Sequence, residues 1–468
     1  MTHQLPQHIN KDKIFIVNRS SIDNRLDAQY YSANLDLSGF VKLSSVAIVK
    51  GGKRIPKGYG YSDDATPYHY LRVADMDSDV PVEVNSLMHI SNEVFDILER
   101  YEINEGELAI SIAGTIGKTA ILKDIPAGER VILTENCAKI LVKPNIELLS
   151  DYLKICLELP IVKKQLDLNY IQTTIPKLGL DKIVGIKLPP IPSMQKQQEI
   201  VDYINAAYAQ KQAKETEAQL LLDSIDGYLL KELGITIPEI KSEIYNRMFI
   251  VKYSELKGRY TPGLYKDEVS LYSTIYENTP LSHLAYINPN TRLPYQDEKI
   301  VISFVPMESV NEIYAEINDN KDCPIAETKG FTRFQEGDLL WAKITPCMEN
   351  GKSAIAKDLI NGYGCGSTEF HVIRPKDDNL LVEYIHSLLH MKCVRQTAKL
   401  YFGGSAGQQR VATDFLDNFN VPLPPKAKQQ QIVNYIADIR TRAKALQTEG
   451  KAILEDAKRK IEQMIMEK

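Results

Sequence analysis

Tryptophan occurs once in 468 residues and cysteine six times, and no two cysteines form a CxxC pair. Cys137, Cys156, Cys323, Cys347, Cys365 and Cys393 are scattered, so their spacing indicates neither a disulfide framework nor a zinc site. They read as reduced packing residues. No apolar run approaches the ~20 residues of a membrane span, and no basic start precedes an apolar signal core. A folded, soluble, cytoplasmic chain is expected, in keeping with 44% hydrophobic residues and a mean hydropathy of -0.25. An excess of positive charge is missing too: 56 basic residues face 61 acidic ones, a net charge of -5.

An even spread of that charge would argue against a nucleic-acid partner, but the spread is uneven. Residues 40–60 carry Lys42, Lys50, Lys53, Arg54 and Lys57 without an acid, and residues 391–413 carry Lys392, Arg395, Lys399 and Arg410, again without one. Binding to a phosphate backbone requires local positive potential, not a positive total. A solvated basic face is the alternative reading of either run.

What the chain does have is repetition. Lys196-Gln-Gln-Glu-Ile-Val-Asp-Tyr-Ile204 returns as Lys428-Gln-Gln-Gln-Ile-Val-Asn-Tyr-Ile436, each copy after a proline-rich stop, Leu188-Pro-Pro-Ile-Pro192 or Val421-Pro-Leu-Pro-Pro425. Phe15-Ile-Val, Ser20, Arg25 and Tyr31 recur as Phe249-Ile-Val, Ser254, Arg259 and Tyr265. Glu105-Gly-Glu-Leu108 answers Glu336-Gly-Asp-Leu339, and Gly117-Lys-Thr-Ala-Ile121 answers Gly351-Lys-Ser-Ala-Ile355. The order is constant, so the chain is one unit written twice. Between the anchors the halves diverge: Lys50-Gly-Gly-Lys-Arg-Ile-Pro56 shares little with Asn288-Pro-Asn-Thr-Arg-Leu-Pro294 beyond its ending.

Periodicity predicts strands at 13–17, 68–73, 107–112, 119–122 and 137–143, with 41–49 a strand or a short helix. Residues 113–117 read as a hairpin turn. Helical spacing at 150–159 and 162–168 is interrupted by Pro160. The second half predicts strands at 339–344, 353–356 and 369–373, then one helix at 381–397. Both globular parts are therefore mixed α and β.

The longest pattern opens at Ser193, a suitable N-cap, and stops at Leu233-Gly234. Its apolar seam in 4-3 spacing is Ile200, Ile204, Ala207, Lys211, Lys214, Ala218, Leu221, Ile225 and Tyr228, interrupted by two lysines. The C-terminal copy gives Ile432, Ile436, Ile439, Ala443, Leu446, Gly450, Ile453 and Ala457. Such a helix is roughly 60 Å long and cannot bury its whole stripe on a small domain. The simplest solution packs the two copies together. The expected divisions are domains at 1–192 and 235–425 and helices at 193–234 and 426–468.

This layout resembles the specificity (S) subunit of type I restriction-modification systems. The marks are Leu188-Pro-Pro-Ile-Pro-Ser-Met-Gln-Lys-Gln-Gln-Glu-Ile-Val201, Leu423-Pro-Pro-Lys-Ala-Lys-Gln-Gln-Gln-Ile-Val433, Arg25-Leu-Asp-Ala-Gln-Tyr-Tyr31 and Glu105-Gly-Glu-Leu108, in duplicated order over essentially the whole chain. The resemblance implies an α+β fold of two target recognition domains separated by two long helices packed as an antiparallel coiled coil. Each domain would read one half of a bipartite site in double-stranded DNA, and the helices would set the gap. The repeated helices would serve as two equivalent docking and dimerising surfaces. Two methyltransferase (M) subunits and restriction (R) subunits would be partners. S-adenosylmethionine, ATP and Mg would belong to those partners, and this chain would be non-catalytic and hold no cofactor. A bipartite DNA-recognition subunit of another restriction class, or a coiled-coil scaffold with no nucleic-acid role, stays open beside it.

The residues agree with a non-catalytic reading. An amino-methyltransferase of this class requires an Asn/Asp-Pro-Pro-aromatic turn to hold an extruded base, and none is present. Gly114-Thr-Ile-Gly-Lys-Thr119 fails as a phosphate loop because Ile112 stands where the first glycine belongs. His386 and His390 form HxxxH without the glutamate of a zinc protease, and Asp63-Asp64 and Asp377-Asp378 read as solvated turns. For DNA contact, loops rich in Lys, Arg, Gln and Thr are candidates: these side chains suit guanine and adenine edges or phosphates. The candidates are Lys50, Lys53, Arg54, Lys57, Gln172, Thr173 and Thr174 in the first half. In the second they are Arg292, Lys343, Lys352, Gln408, Gln409 and Arg410.

Overall fold

The structure, a computed structural model, describes residues 16, 33, 35–169, 176–237, 271–295, 297–404 and 409–467. The strand predicted at 13–17, the Arg25 and Arg259 motifs, Gln172, Thr173, Thr174 and Gln408 lie outside them. Two compact units are formed, Met1–Ala213 with Glu449–Lys468, and Lys214–Thr448.

The first unit contains β1 (Ala47–Gly51), β2 (Tyr68–Leu71), β3 (Met88–His89), β4 (Glu102–Ile103), β5 (Leu108–Ser111), β6 (Thr119–Ile121), β7 (Arg130–Leu133) and β8 (Cys137–Val142). They make two four-stranded sheets in the orders β1-β8-β5-β6 and β3-β2-β7-β4. The second unit repeats both with β9 (Ala285–Ile287), β10 (Val301–Val305), β11 (Lys321–Pro324), β12 (Thr332–Gln335), β13 (Leu339–Ala342), β14 (Ser353–Ile355), β15 (Tyr363–Gly366) and β16 (Phe370–Pro375). Their orders are β9-β16-β13-β14 and β11-β10-β15-β12. In each unit one pair, β2 with β7 or β10 with β15, is parallel.

Every residue of β5 and of β13 is buried, as befits a strand covered on both faces. Alternation along the strand sorts the side chains into two cores. Leu108 and Ile110 join a core with helices, whereas Ala109 joins a core with Leu71 and Val131 of the second sheet. Leu339 and Trp341 divide from Leu340 in the same way.

Helices α1 (Ser150–Glu158) and α2 (Pro160–Asp167) cover one face. Pro160 is the first residue of α2, where a missing N–H costs nothing. The counterparts are α3 (Val382–His390) and α4 (Lys392–Lys399). The single helix predicted at 381–397 is thus two, broken at Met391, whose backbone is extended at φ -55°, ψ 139°. Residues 41–49 likewise resolve into both expected forms, Leu43–Val46 as a helical turn between strands.

The long helices are Met194–Glu232 and Lys426–Met466. In the first unit Ile200, Ile204 and Ala207 near the start of one share a core with Leu454, Ala457, Ile461 and Ile465 near the end of the other. In the second unit Ile225, Leu229 and Leu233 meet Ile432, Ile436 and Ile439. The pairing is therefore antiparallel. The predicted seam shifts after Gly450: Leu454 is buried and Ile453 only partly so. Gly234, at φ +60°, closes the first helix, with the Ile235 N–H donating to the Leu230 carbonyl at 2.9 Å.

Each repeated motif that lies within the described residues has an internal role. Gly106 and Gly337 hold φ of 76° and 83°, and the acid after each accepts a backbone N–H from three residues earlier, Glu107 from Asn104 and Asp338 from Gln335. Gly117 and Gly351 hold φ of 82° and 89°. Gln197 and Gln429, the middle residues of Lys-Gln-Gln, are fully buried. The Gln197 Oε1 accepts from the Leu149 N–H at 2.9 Å, while its Nε2 donates to the carbonyls of Glu147 (3.0 Å) and Pro192 (2.9 Å). Gln429 makes the same three bonds with Leu381 (2.9 Å), Asn379 (2.8 Å) and Pro424 (3.0 Å). This glutamine is a clamp between helix start, proline stop and domain, not a docking surface.

Candidate nucleic-acid interface

In the first unit the basic loop leaves β1 and runs along the turn between β7 and β8. The Gly52 N–H donates to the Cys137 carbonyl (3.0 Å) and the Lys53 N–H to that of Leu133 (2.9 Å). A Cβ on Gly52 would stand 2.1 Å from the Thr134 oxygen, so only glycine fits. The Tyr70 hydroxyl donates to the Lys53 carbonyl at 2.7 Å. Held by its backbone, the loop points Lys50, Lys53, Arg54 and Lys57 into solvent. The Arg54 side chain is 78% exposed and pairs with Glu135 at 2.5 Å. Tyr59 and Tyr61 are exposed beside them, with the Tyr59 hydroxyl donating to Glu93 at 2.7 Å. The arrangement offers exposed cations interleaved with phenols, groups suited to contact phosphate.

The second unit has the same backbone and a different rim. Asn288, at the place of Lys50, turns inward: its Oδ1 accepts the Val372 N–H at 3.0 Å. Thr291, at the place of Lys53, is buried and accepts from Arg374 at 2.9 Å. Arg292 is exposed, like Arg54. The positive charge lies instead in a cleft of about 430 Å³ lined by Asn288, Asn290, Thr291, Lys329, Arg333 and Lys343. Glu369, at the place of Asn136, sits nearby and binds Arg410 through two bonds of 2.8 and 2.7 Å. That pair holds the Glu369 carboxyl below its ordinary range.

Lys343 and Arg410 are therefore brought together, whereas Lys352 is not with them. Its ammonium donates to the Met307 carbonyl at 3.2 Å, as Lys118 does to Met76 at 3.1 Å in the first unit. The second basic run is matched in part by acids from elsewhere: Lys399 pairs with Glu349 at 2.6 Å, and the Lys392 backbone N–H donates to the Asp226 carboxylate at 2.9 Å, leaving its ammonium exposed. Arg395 donates to the His390 and Glu349 carbonyls. Gln409 is half-buried, and its carbonyl accepts the Thr345 N–H at 3.0 Å. Pro176 does the same for Gly114 at 3.1 Å, so Pro176 and Gln409 are held to the same hairpin turn in the two units. Sequence reasoning missed Lys329 and Arg333. Lys329-Gly-Phe-Thr-Arg333 with an exposed Phe331 was the available signal.

His386 and His390 are packing residues. His386 Nε2 bonds the Ser353 hydroxyl at 3.0 Å, and His390 Nε2 the Glu312 carbonyl at 3.1 Å. Burial, with help from the neighbouring Arg440 charge, pulls His390 down to about 3 and His386 well below its usual value. Asp63, Asp64, Asp377 and Asp378 are exposed, and the six cysteines are free. Among the described residues no group of three or more His, Cys, Asp or Glu could hold a metal, and no helix is long and apolar enough to cross a membrane.

One scaffold built twice, with unlike rims and each copy joined to an antiparallel helix pair, defines a duplicated recognition protein. The family described as "Type I restriction modification DNA specificity domain" matches residues 36–222 and 278–455, and the chain belongs to it. The type I restriction enzyme EcoEI specificity subunit of Escherichia coli is 40% identical over 161 residues, 34% of this chain and 26% of that subunit. The EcoAI specificity subunit of the same organism is 39% identical over 165 residues, 34% and 27% of the two lengths. The chain thus spans about a quarter of each relative. A structure solved for complex assembly and conformational transition of the type I R-M system shares the fold, with a TM-score of 0.50 at 16% identity over 91% of this chain and 96% of that one. The S subunit from M. genitalium aligns over 91% and 95% with a TM-score of 0.40 at 10% identity.

Proposed function

We propose that this chain is the DNA-reading, non-catalytic subunit of a type I restriction-modification complex, with each recognition unit binding one half of a bipartite site. The observation that carries the reading is the contrast between an identical doubled scaffold and two rims of different chemistry: exposed Lys50, Lys53, Arg54 and Lys57 on one, a cleft with Lys329, Arg333 and Lys343 on the other. A symmetric reader needs one rim; two unlike rims suit two unlike half-sites. The long helices would act as the ruler that fixes the unread gap. Methyltransferase subunits would be recruited to bring S-adenosylmethionine and restriction subunits to bring ATP and Mg chemistry, in a cytoplasmic complex.

Gln172, Thr173, Thr174 and Gln408 remain candidate base contacts by residue type. Lys352 is the weakest candidate, since its ammonium already serves a carbonyl. Methylation mapping in a host carrying the chain tests the proposal: a split adenine-containing motif with a fixed gap is expected. An unchanged methylome after deletion would sink it. Exchange of residues 1–190 for another recognition domain should alter one half of the motif alone.

A further inference from the structure

Beside the second long helix, within the second unit, lies a cleft of about 440 Å³ that DNA reading does not use. Its walls include Ile317, Ile355, Val433 and Ile436, and its charged groups are Glu316, Lys357, Asp358, Glu383, Arg440 and Lys444. Lys357 pairs with Glu383 at 2.9 Å and Lys444 pairs with Glu316. Arg440 differs. Its Nε is buried and has no hydrogen-bond partner among the described residues. Burial lowers the guanidinium to about 10, opposed by Glu316, yet it stays charged at neutral pH. Leaving a buried donor unmade is costly, and a charged one more so.

The first unit supplies a control within the same chain. Its corresponding cleft, about 300 Å³, has Tyr208 where Arg440 stands, 232 positions on. There the Tyr208 hydroxyl donates to Asp79 at 3.1 Å, and Lys458 binds the same carboxylate at 2.7 Å. Lys123 pairs with Asp151 at 2.7 Å and Lys154 with Glu158 at 2.8 Å. Every charge of that cleft is answered within the unit; in the second cleft the Arg440 Nε and the Tyr314 hydroxyl are both buried without a partner among the described residues.

We propose that the Arg440 cleft is a binding site for a carboxylate carried on an aliphatic stem. The planar guanidinium lines the cleft, and its two terminal nitrogens can offer a pair of N–H groups that matches a carboxylate's two oxygens. The aliphatic walls take the stem. Glu316, Asp358 and Glu383 disfavour a dianion, so inorganic phosphate is the poorer ligand. Two sources carry this chemistry, a small free acid and an acidic side chain of a partner protein.

The test uses the intact chain, with sodium butyrate as probe against sodium chloride at equal ionic strength. Butyrate at about ten times its Kd should raise the Tm by about 2–4 °C, and phosphate by less. Arg440→Met should lose the butyrate effect while melting, in chloride, at or above the parent temperature, because an unpaired charge has been replaced by a packed thioether. Arg440→Lys keeps the charge without the fork and should bind butyrate about tenfold more weakly. A butyrate shift that survives in Arg440→Met, or no shift in the parent chain, overturns the site. Given a site, titration with the methyltransferase partner assigns the source: about tenfold weaker assembly of Arg440→Met points to an acidic side chain of that partner, and unchanged assembly to a free acid. Only this last arm rests on the function proposed above.

Discussion

The loop after β1 and the loop after β9 occupy one place in two copies of the same sheet and do opposite things with their side chains. In the first, Lys50 and Lys53 face solvent while glycine lets the backbone press against the Thr134 carbonyl. In the second, Asn288 and Thr291 turn into the structure and bond Val372 and Arg374. The lesson is that a backbone register can be kept while its polar groups are reassigned from solvent to sheet. Positive charge is then presented elsewhere, here by Lys329, Arg333 and Lys343.

The largest effect should come from what the two units share. Gln197→Leu and Gln429→Leu each leave one N–H and two carbonyls unmet at a buried position, a cost of about 3 kcal/mol or more. Equal losses in urea unfolding are expected; a loss at one site alone would break the equivalence of the two clamps. The next effect separates the units. His390 titrates at about 3 and His386 well below its usual value because burial penalises their charged forms. The unfolded chain takes up protons near the ordinary histidine value that the folded one refuses, so stability falls as pH falls below about 6.5, by up to about 1.4 kcal/mol per pH unit for each ring. The equivalent of His386 in the first unit is Lys154. Hydrogen exchange of the intact chain at pH 5.5, corrected for intrinsic rates, should therefore show lost protection at residues 382–399 and less change at 150–167.

A smaller effect concerns the loop itself. Gly52→Ala drives a Cβ into a backbone oxygen and should cost about 2 kcal/mol, whereas Asn290→Ala, at a position that already bears a side chain, should cost much less. Similar costs would mean that the two loops approach the sheet alike. The smallest effect is on binding: Lys50→Ala, Lys53→Ala and Lys57→Ala together should weaken random duplex binding about tenfold and lower the salt slope by up to about one per lysine. An unaltered slope would remove this rim from the interface.

Much of the scaffold was legible because its signals are local. Alternating apolar residues at 108–111 and 119–121, the glycines at 106 and 117, and the proline stops each specify their own few residues of backbone. One reading failed where a local signal was overridden, and another is qualified by distant groups. The helical pattern at 381–397 continues through Met391, but the backbone breaks there. The acid-free run at 391–413 holds no acid of its own, yet Glu349 and Glu369, remote in sequence, pair with its Lys399 and Arg410. Charge counted along a chain says nothing of charge met across space.

The sequence by itself determined that the chain is one mixed α/β unit written twice, with a long amphipathic helix after each copy, because strand alternation, turn glycines and helix caps act over a few residues. Only the tertiary structure decided that the glutamine of each Lys-Gln-Gln is a buried clamp, that Lys352 serves a carbonyl, that Lys329 and Arg333 join Lys343, and that the Arg440 Nε is buried without a partner among the described residues. These outcomes depend on which groups from distant segments arrive at hydrogen-bonding distance, and that is fixed by packing, not by spacing.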